Sequence, residues 1–231
     1  MEKRKLYIIT GISILISLIM ALGGMIYIES IFPWEGIAVG EYLKMYHIAG
    51  SNIKIGWAIF CMGCFLMIPV ALLLHKVLNS ENTPLLYIGT TFGVVASFSY
   101  VMGIMRWIFL AGNLASQYMD PNISNELKQV IETIFYSINI YAGNSFGETI
   151  APLSHGIWLI FIGHAMKKNR LFHPSLSIAQ TIGACFIMVR PLEYVGLSFM
   201  AKVGDTGVQI WCVLFIVVGV RLLFVNEKAS I

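Results

Sequence analysis

Long apolar runs alternate along the chain with short polar clusters, and the runs have the length of membrane crossings. A helix needs about 20 residues to cross a hydrocarbon core of about 30 Å. Six stretches reach that length, near residues 6–28, 55–75, 85–112, 146–166, 175–200 and 206–225. A different pattern lies between the third and fourth. Leu127, Val130, Ile131, Ile134, Ile138 and Tyr141 recur at helical spacing, while Glu126, Lys128, Gln129, Glu132 and Thr133 fall largely on the other side. Over residues 122–142 this predicts an amphipathic helix lying on the membrane or capping the bundle, with Ser124 as its N-cap. Gly143 and Gly147 then let the chain turn into the fourth span. Residues 29–54 contain the breakers Pro33, Gly36, Gly40 and Gly50, and read as a loop at headgroup level anchored by Trp34, Tyr42 and Tyr46. The expected fold class is an all-α integral membrane protein, a single domain over residues 1–231 with six transmembrane helices plus an amphipathic outer interfacial helix.

Composition supports this pattern. The 231 residues are 58% hydrophobic and 12% charged, with a mean hydropathy of +0.79, whereas a soluble domain carries about 25% charged residues. The net charge of +3, with no basic patch outside the membrane flanks, argues against nucleic acid as a partner. The lipid bilayer is the partner implied, and a homo-oligomer stays open. Lys3-Arg4-Lys5 before an apolar run has the form of a secretory leader. That run continues to Ile28, longer than the roughly 7–15 residues of a leader's apolar core, so it predicts a retained first helix.

Basic residues at the helix ends set the orientation. With the N-terminus inside, the inner side holds Lys3, Arg4, Lys5, Lys76, Lys167, Lys168, Arg170, Arg221 and Lys228, and the outer side holds Lys44, Lys54, Lys128 and Lys202. Nine against four places both termini in the cytoplasm, in a multi-pass protein of the cell membrane.

Against this background four ionisable residues stand out inside the apolar spans: Arg106, Glu148, Arg190 and Glu193. Each costs about 2.5–3.5 kcal/mol at the centre of a bilayer on insertion scales, so two cations and two anions are expected to compensate one another. Arg106 falls about 9 Å below the outer end of its helix at 1.5 Å per residue. Glu148 is in the first turn of its span, Arg190 is nearer the middle and Glu193 is one turn further out, so all four fall in the outer half. Arg190 and Glu193, three residues apart, share a helix face. Pro191 is expected to kink the fifth span, and Pro152 to free the carbonyl of Glu148. His155 follows Glu148 by seven residues, on the same face and deeper. Glu148 has no basic partner nearby in its own span and is expected to pair with Arg106 or Arg190.

Several functions fit this constellation. One is a binding or transport site for a small or lipid-like ligand, formed by Arg106, Glu148, His155, Arg190 and Glu193. Two arginine forks offer more donors than two carboxylates use, which points to an anionic or zwitterionic ligand. The second is an intramembrane hydrolase or transferase with Glu148 as base or metal ligand and His155 as its partner, although such enzymes need more convergent ligands or a clear nucleophile. The third is an accessory or immunity-type protein acting through helix contacts, and a purely structural network of charges is the plain counterpart of all three. The sequence gives no metal-ligand set and no cofactor motif. Cys61-x-x-Cys64 has redox spacing but sits mid-span, where such cysteines act as small apolar residues. His75, His164 and His173 fall at the inner boundary, within reach of water or headgroups.

Arg106-Trp107, the amphipathic outer helix, Tyr141-Ala142-Gly143, Gly147-Glu148, Trp158 and Leu192-Glu193 together form a recognisable pattern. Over residues 85–200 the chain resembles the bacterial membrane family catalogued as domain of unknown function 4386. The resemblance implies a six-helix protein of the bacterial cytoplasmic membrane and no particular activity.

Overall fold

A computed structural model of the chain describes residues 2–32, 37–78, 84–169 and 171–225. Pro33, Trp34 and Gly36 of the first outer connection, and Arg170 and Lys228 of the basic count, lie outside the described residues. The elements are α1 (Glu2–Ile31), α2 (Val39–Leu78), α3 (Pro84–Met105), α4 (Gly112–Tyr118), α5 (Asn125–Ile138), α6 (Ala151–Lys168), α7 (Pro174–Met188) and α8 (Met200–Leu223). Three junctions are tighter or wider than an α-helix: π-helical Arg106–Ala111 and Asn139–Ile150, and 3-10 helical Arg190–Val195. No strand occurs among the described residues, and six helical stretches are long and apolar enough to cross a membrane.

α1 packs against α2 and α8, and α6 packs against α3 and α7. A Cβ on Gly11 would come within 2.7 Å of the Gly219 carbonyl, so the first and last helices touch near the chain ends. We call this the terminal end of the bundle and the opposite one, which carries α4, α5 and the 3-10 turn, the distal end. One apolar cluster, including Leu74, Trp158, Ile162 and Phe215, fills the middle and terminal half. A second, including Phe32, Tyr46, Trp57, Trp107 and Phe135, fills the distal half.

The joints differ from the sequence expectation in four places. Residues 29–54 are not a loop throughout, because α2 begins at Val39 and runs through a kink at Gly50 (φ 58°). Tyr42, Leu43 and Tyr46 are buried there, and i, i+4 burial of aromatic residues holds the segment helical on the bundle. Gly143 and Gly147 do not turn the chain, since α5 continues through the π segment into α6 as one helical stretch, Asn125–Lys168. Their missing side chains instead admit neighbouring helix: a Cβ on Gly103 would lie 2.9 Å from Gly147 Cα. The fifth span ends its α-helix at Met188, before Pro191, whose ring has no N–H for the next turn. A 3-10 turn follows and closes at Gly196, φ 101°, where Leu197 N–H bonds the Leu192 carbonyl (3.2 Å) and Gly196 N–H that of Glu193 (3.3 Å). Finally α8 begins at Met200 rather than 206, which brings Asp205 inside it.

The amphipathic helix is present, and the Ser124 hydroxyl accepts from Leu127 N–H (3.3 Å). Its apolar face divides. Ile131 and Phe135 pack into the distal cluster, and Leu127, Val130, Ile134 and Tyr136 stay exposed. His75 is not simply at a wet boundary, since its Nδ1 lies 2.8 Å from the Thr90 hydroxyl and its Nε2 is buried.

Candidate functional site

The 3-10 turn after α7 carries the centre of the site. In this geometry residues three apart eclipse one another, and Arg190 Nη1 donates to Glu193 Oε1 at 2.7 Å. Arg190 Nε donates to Asp205 Oδ1 of α8 at 3.2 Å, and Nη1 lies 3.8 Å from Glu148 Oε2 of the π segment. The Tyr194 hydroxyl donates to the same Glu148 oxygen. One guanidinium therefore stands among three carboxylates drawn from three elements. Its aliphatic stem packs directly on Gly204, where any side chain would collide with Arg190 Cβ. The cluster is partly open: the Arg190 and Glu193 side chains are 19% and 20% accessible, Glu148 34% and Asp205 56%.

Arg106 opens the other π segment and is held differently. Its Nε donates to Asn139 Oδ1 at 2.9 Å and its Nη1 to the Gly103 carbonyl. The guanidinium carbon sits 4.9 Å from the Trp107 ring centroid, a cation–π distance. A Cβ on Gly143 would lie 2.6 Å from Nη2, so the fork lies flat on bare backbone. Among the described residues Arg106 makes no ion pair, although Glu148 and Tyr194 are near enough to act on it electrostatically.

His155 sits below the cluster, 4% exposed, with its ring 4.4 Å from Trp211 and 5.7 Å from Trp158, centroid to centroid. Its Nδ1 is 3.4 Å from the Tyr100 hydroxyl of α3. Glu148 and His155 share no hydrogen bond among the described residues. Pro152 falls in the first turn of α6, directly after the π segment. The local register there is π, with Ala151 N–H bonding the Phe146 carbonyl, so the proline is accommodated by a wider turn.

Of the expected residues, Glu148, Arg190 and Glu193 come together, Arg106 flanks them and His155 lies beneath. Asp205, Tyr194, Asn139 and Tyr100 were not anticipated. Asp205 lies one residue outside the expected span 206–225, although an acid at the edge of an apolar run is itself a signal of an intramembrane partner. Around Arg190 itself three carboxylates face one guanidinium, and Asp205 is the one that the count of intramembrane charges left out.

Among the described residues no group of three or more His, Cys, Asp or Glu is arranged to hold a metal ion. An open groove of about 490 Å³, lined by Val39, Gln129, Glu132, Thr133 and Tyr136, lies along α5, on other residues than the cluster. No curated protein and no solved structure matches the chain. A family model matches residues 9–225, nearly the whole length, and by that match the chain belongs to the family described as Domain of unknown function (DUF4386).

Proposed function

We propose that this multi-pass membrane protein binds, or moves, a small or lipid-like ligand at the distal cluster, and that the ligand carries a positive charge. The observation behind this is the imbalance at Arg190, one cation facing Glu148, Glu193 and Asp205. Excess negative charge beside low-dielectric surroundings is costly, and an incoming ammonium group offsets that cost. A zwitterionic headgroup would set its amine against the carboxylates and its anion towards Arg106. The excess of Lys and Arg at the terminal end supports a cytoplasmic position for both termini, so that the cluster faces outward. The hydrolase reading needs Glu148 and His155 to act together, and their separate partners, Tyr194 with Arg190 and Tyr100, give it no support.

Native mass spectrometry and thermal melting of the detergent-purified protein test this reading. Phosphatidylethanolamine and free ethanolamine distinguish a lipid from a soluble amine, with phosphatidylglycerol as the anionic comparison. Amine-bearing ligands are expected to bind and raise the melting temperature, and Asp205→Asn to weaken that effect. Equal effects from the anionic lipid, or none from any ligand, would favour a structural role for the charges. External labelling should modify Asn125→Cys and not Asn169→Cys, and the reverse would invert the topology.

A further inference from the structure

Beneath the charged cluster, the core between α6, α7 and α8 contains polar atoms that its packing leaves unanswered. Gln180, 1% exposed, has neither amide atom hydrogen-bonded among the described residues. The same holds for His155 Nε2 and for the indole nitrogens of Trp158 and Trp211, on side chains 4%, 1% and 8% exposed. Buried polar groups are satisfied in roughly 90% or more of cases, usually by protein and otherwise by water or an ion. Five unanswered atoms fall on four side chains of one helix trio.

Their positions follow a line. Gly156 abuts Ala184, and Gly163 abuts Ser177 and Thr181, which bracket Gln180, so Gln180 lies near the level of Gly163, roughly 10 Å deeper than His155 at 1.5 Å rise per residue. Gly183 abuts Ile210, which puts Trp211 between His155 and Gln180. Beyond Gln180, Thr181 Oγ1 bonds the Ser177 carbonyl (3.1 Å) and Ser177 Oγ bonds the Gly163 carbonyl (2.5 Å). Ser177 is one turn from the start of α7 at the terminal end. On the distal side His155 reaches Tyr100, which in turn interacts electrostatically with Arg190 and Asp205. Polar groups thus occur at successive levels of the bundle: the cluster, Tyr100, His155, Trp211, Gln180 and Ser177, of which Tyr100, His155 and Trp211 touch.

We propose that this file is a proton path, completed by water between His155, Trp211, Gln180 and Ser177. Imidazole suits the relay because its two nitrogens face different neighbours. Tyr100 passes its hydroxyl proton to Nδ1, and its O–H bond is restored by a proton from water on the cluster side. An N–H bond forms at Nδ1, another breaks at Nε2, and that proton passes to a water whose own proton is given on towards the Gln180 amide oxygen. Charge is conserved, and reorientation of the ring restores the starting tautomer. The groups in contact with this relay are Tyr100 of α3, Trp158 of α6 and Trp211 of α8, and Cys64, Cys212, Arg190 and Asp205 act on Tyr100 electrostatically. None of these below the cluster carries a fixed charge, which suits a path for protons passed between neutral groups.

The test is proton flux into liposomes containing the full chain, read with an entrapped pH-sensitive dye under a valinomycin-clamped potassium gradient. The protein is expected to dissipate an imposed pH difference several-fold faster than empty liposomes. Gln180→Leu and His155→Phe, similar in volume to the residues replaced, should return the flux to the empty level while remaining monodisperse. Ser137→Ala, on the exposed face of α5, should leave it unchanged. Flux no faster than in empty liposomes, or full flux in folded His155→Phe, overturns the proposal. Ligand binding at the cluster is read separately, so either proposal can fail without the other.

Discussion

Arg106 and Arg190 are the same side chain inside the same bundle, yet they are accommodated in opposite ways. Arg106 is matched by neutral groups: an amide oxygen, a carbonyl, an indole face and the bare backbone of Gly143. Arg190 is matched by charge, and by more of it than it needs. A cation held by neutral dipoles and a ring is fixed in place and brings no carboxylate for a second cation. A cation surrounded by a surplus of carboxylates leaves those carboxylates available to a second cation. The first arrangement suits a structural joint, and the second is the one on which the proposed binding site rests.

The largest expected effect separates the two directly. Arg190→Leu would leave three carboxylates facing one another without a counter-charge, a loss of about 3–5 kcal/mol by analogy with broken buried ion pairs. It should appear as a large drop in melting temperature or as failure to purify a monodisperse protein, with Arg190→Lys recovering much of the loss. If Arg190→Leu is tolerated, the cluster is not organised around that charge. Next, Gly143→Ala should cost about 1–3 kcal/mol by pushing the Arg106 fork off its seat. The matched change Gly23→Ala, where nothing lies within 4 Å of a new Cβ, should stabilise by up to about 1 kcal/mol. Melting curves of the two variants moving together would remove Gly143 from the account of Arg106.

Smaller effects sharpen the contrast. Asn139→Leu removes the acceptor of Arg106 Nε and should cost about 1.5–2 kcal/mol, the low end for a hydrogen bond to a charged group, because this one is only partly buried. Asp205→Asn removes one of the surplus charges and keeps an acceptor for Arg190 Nε. It should change stability by less than about 1 kcal/mol, in either direction, the scale of a partly exposed ion pair. A loss as large as that of Arg190→Leu would mean that the carboxylates are all required by the fold and none is in surplus.

Much of this was legible in the chain because a membrane simplifies the code. Six apolar runs of sufficient length give six crossings, since backbone polar groups in lipid must be satisfied within the helix. Ionisable residues in those runs pointed to Arg106, Glu148, Arg190 and Glu193 for the same energetic reason. The joints were not legible. Gly143 and Gly147 carry the ordinary signal of a turn, and only the close passage of Gly103 explains why the helix continues. Asp205 was lost to a boundary error of a few residues at the start of α8, which decided whether an acid counted as loop or span. Tyr194 reached Glu148 because Pro191 converts the turn to 3-10 geometry, a change of residue direction that helical-wheel reasoning does not contain.

The π segment Asn139–Ile150 has a consequence for insertions and deletions. It supplies Asn139 to one arginine and Glu148 to the other, nine positions apart on a single winding. Its hydroxyls keep the same wide count, Thr149 bonding the Asn144 carbonyl five residues back at 2.7 Å. An α-helix advances about 100° per residue, so tightening the winding would turn one partner away while the other stayed in place. The wide turn is thus a phase adjuster between two anchoring points. Loss of a single residue inside it, harmless in most surface loops, would force the chain to choose which arginine to keep.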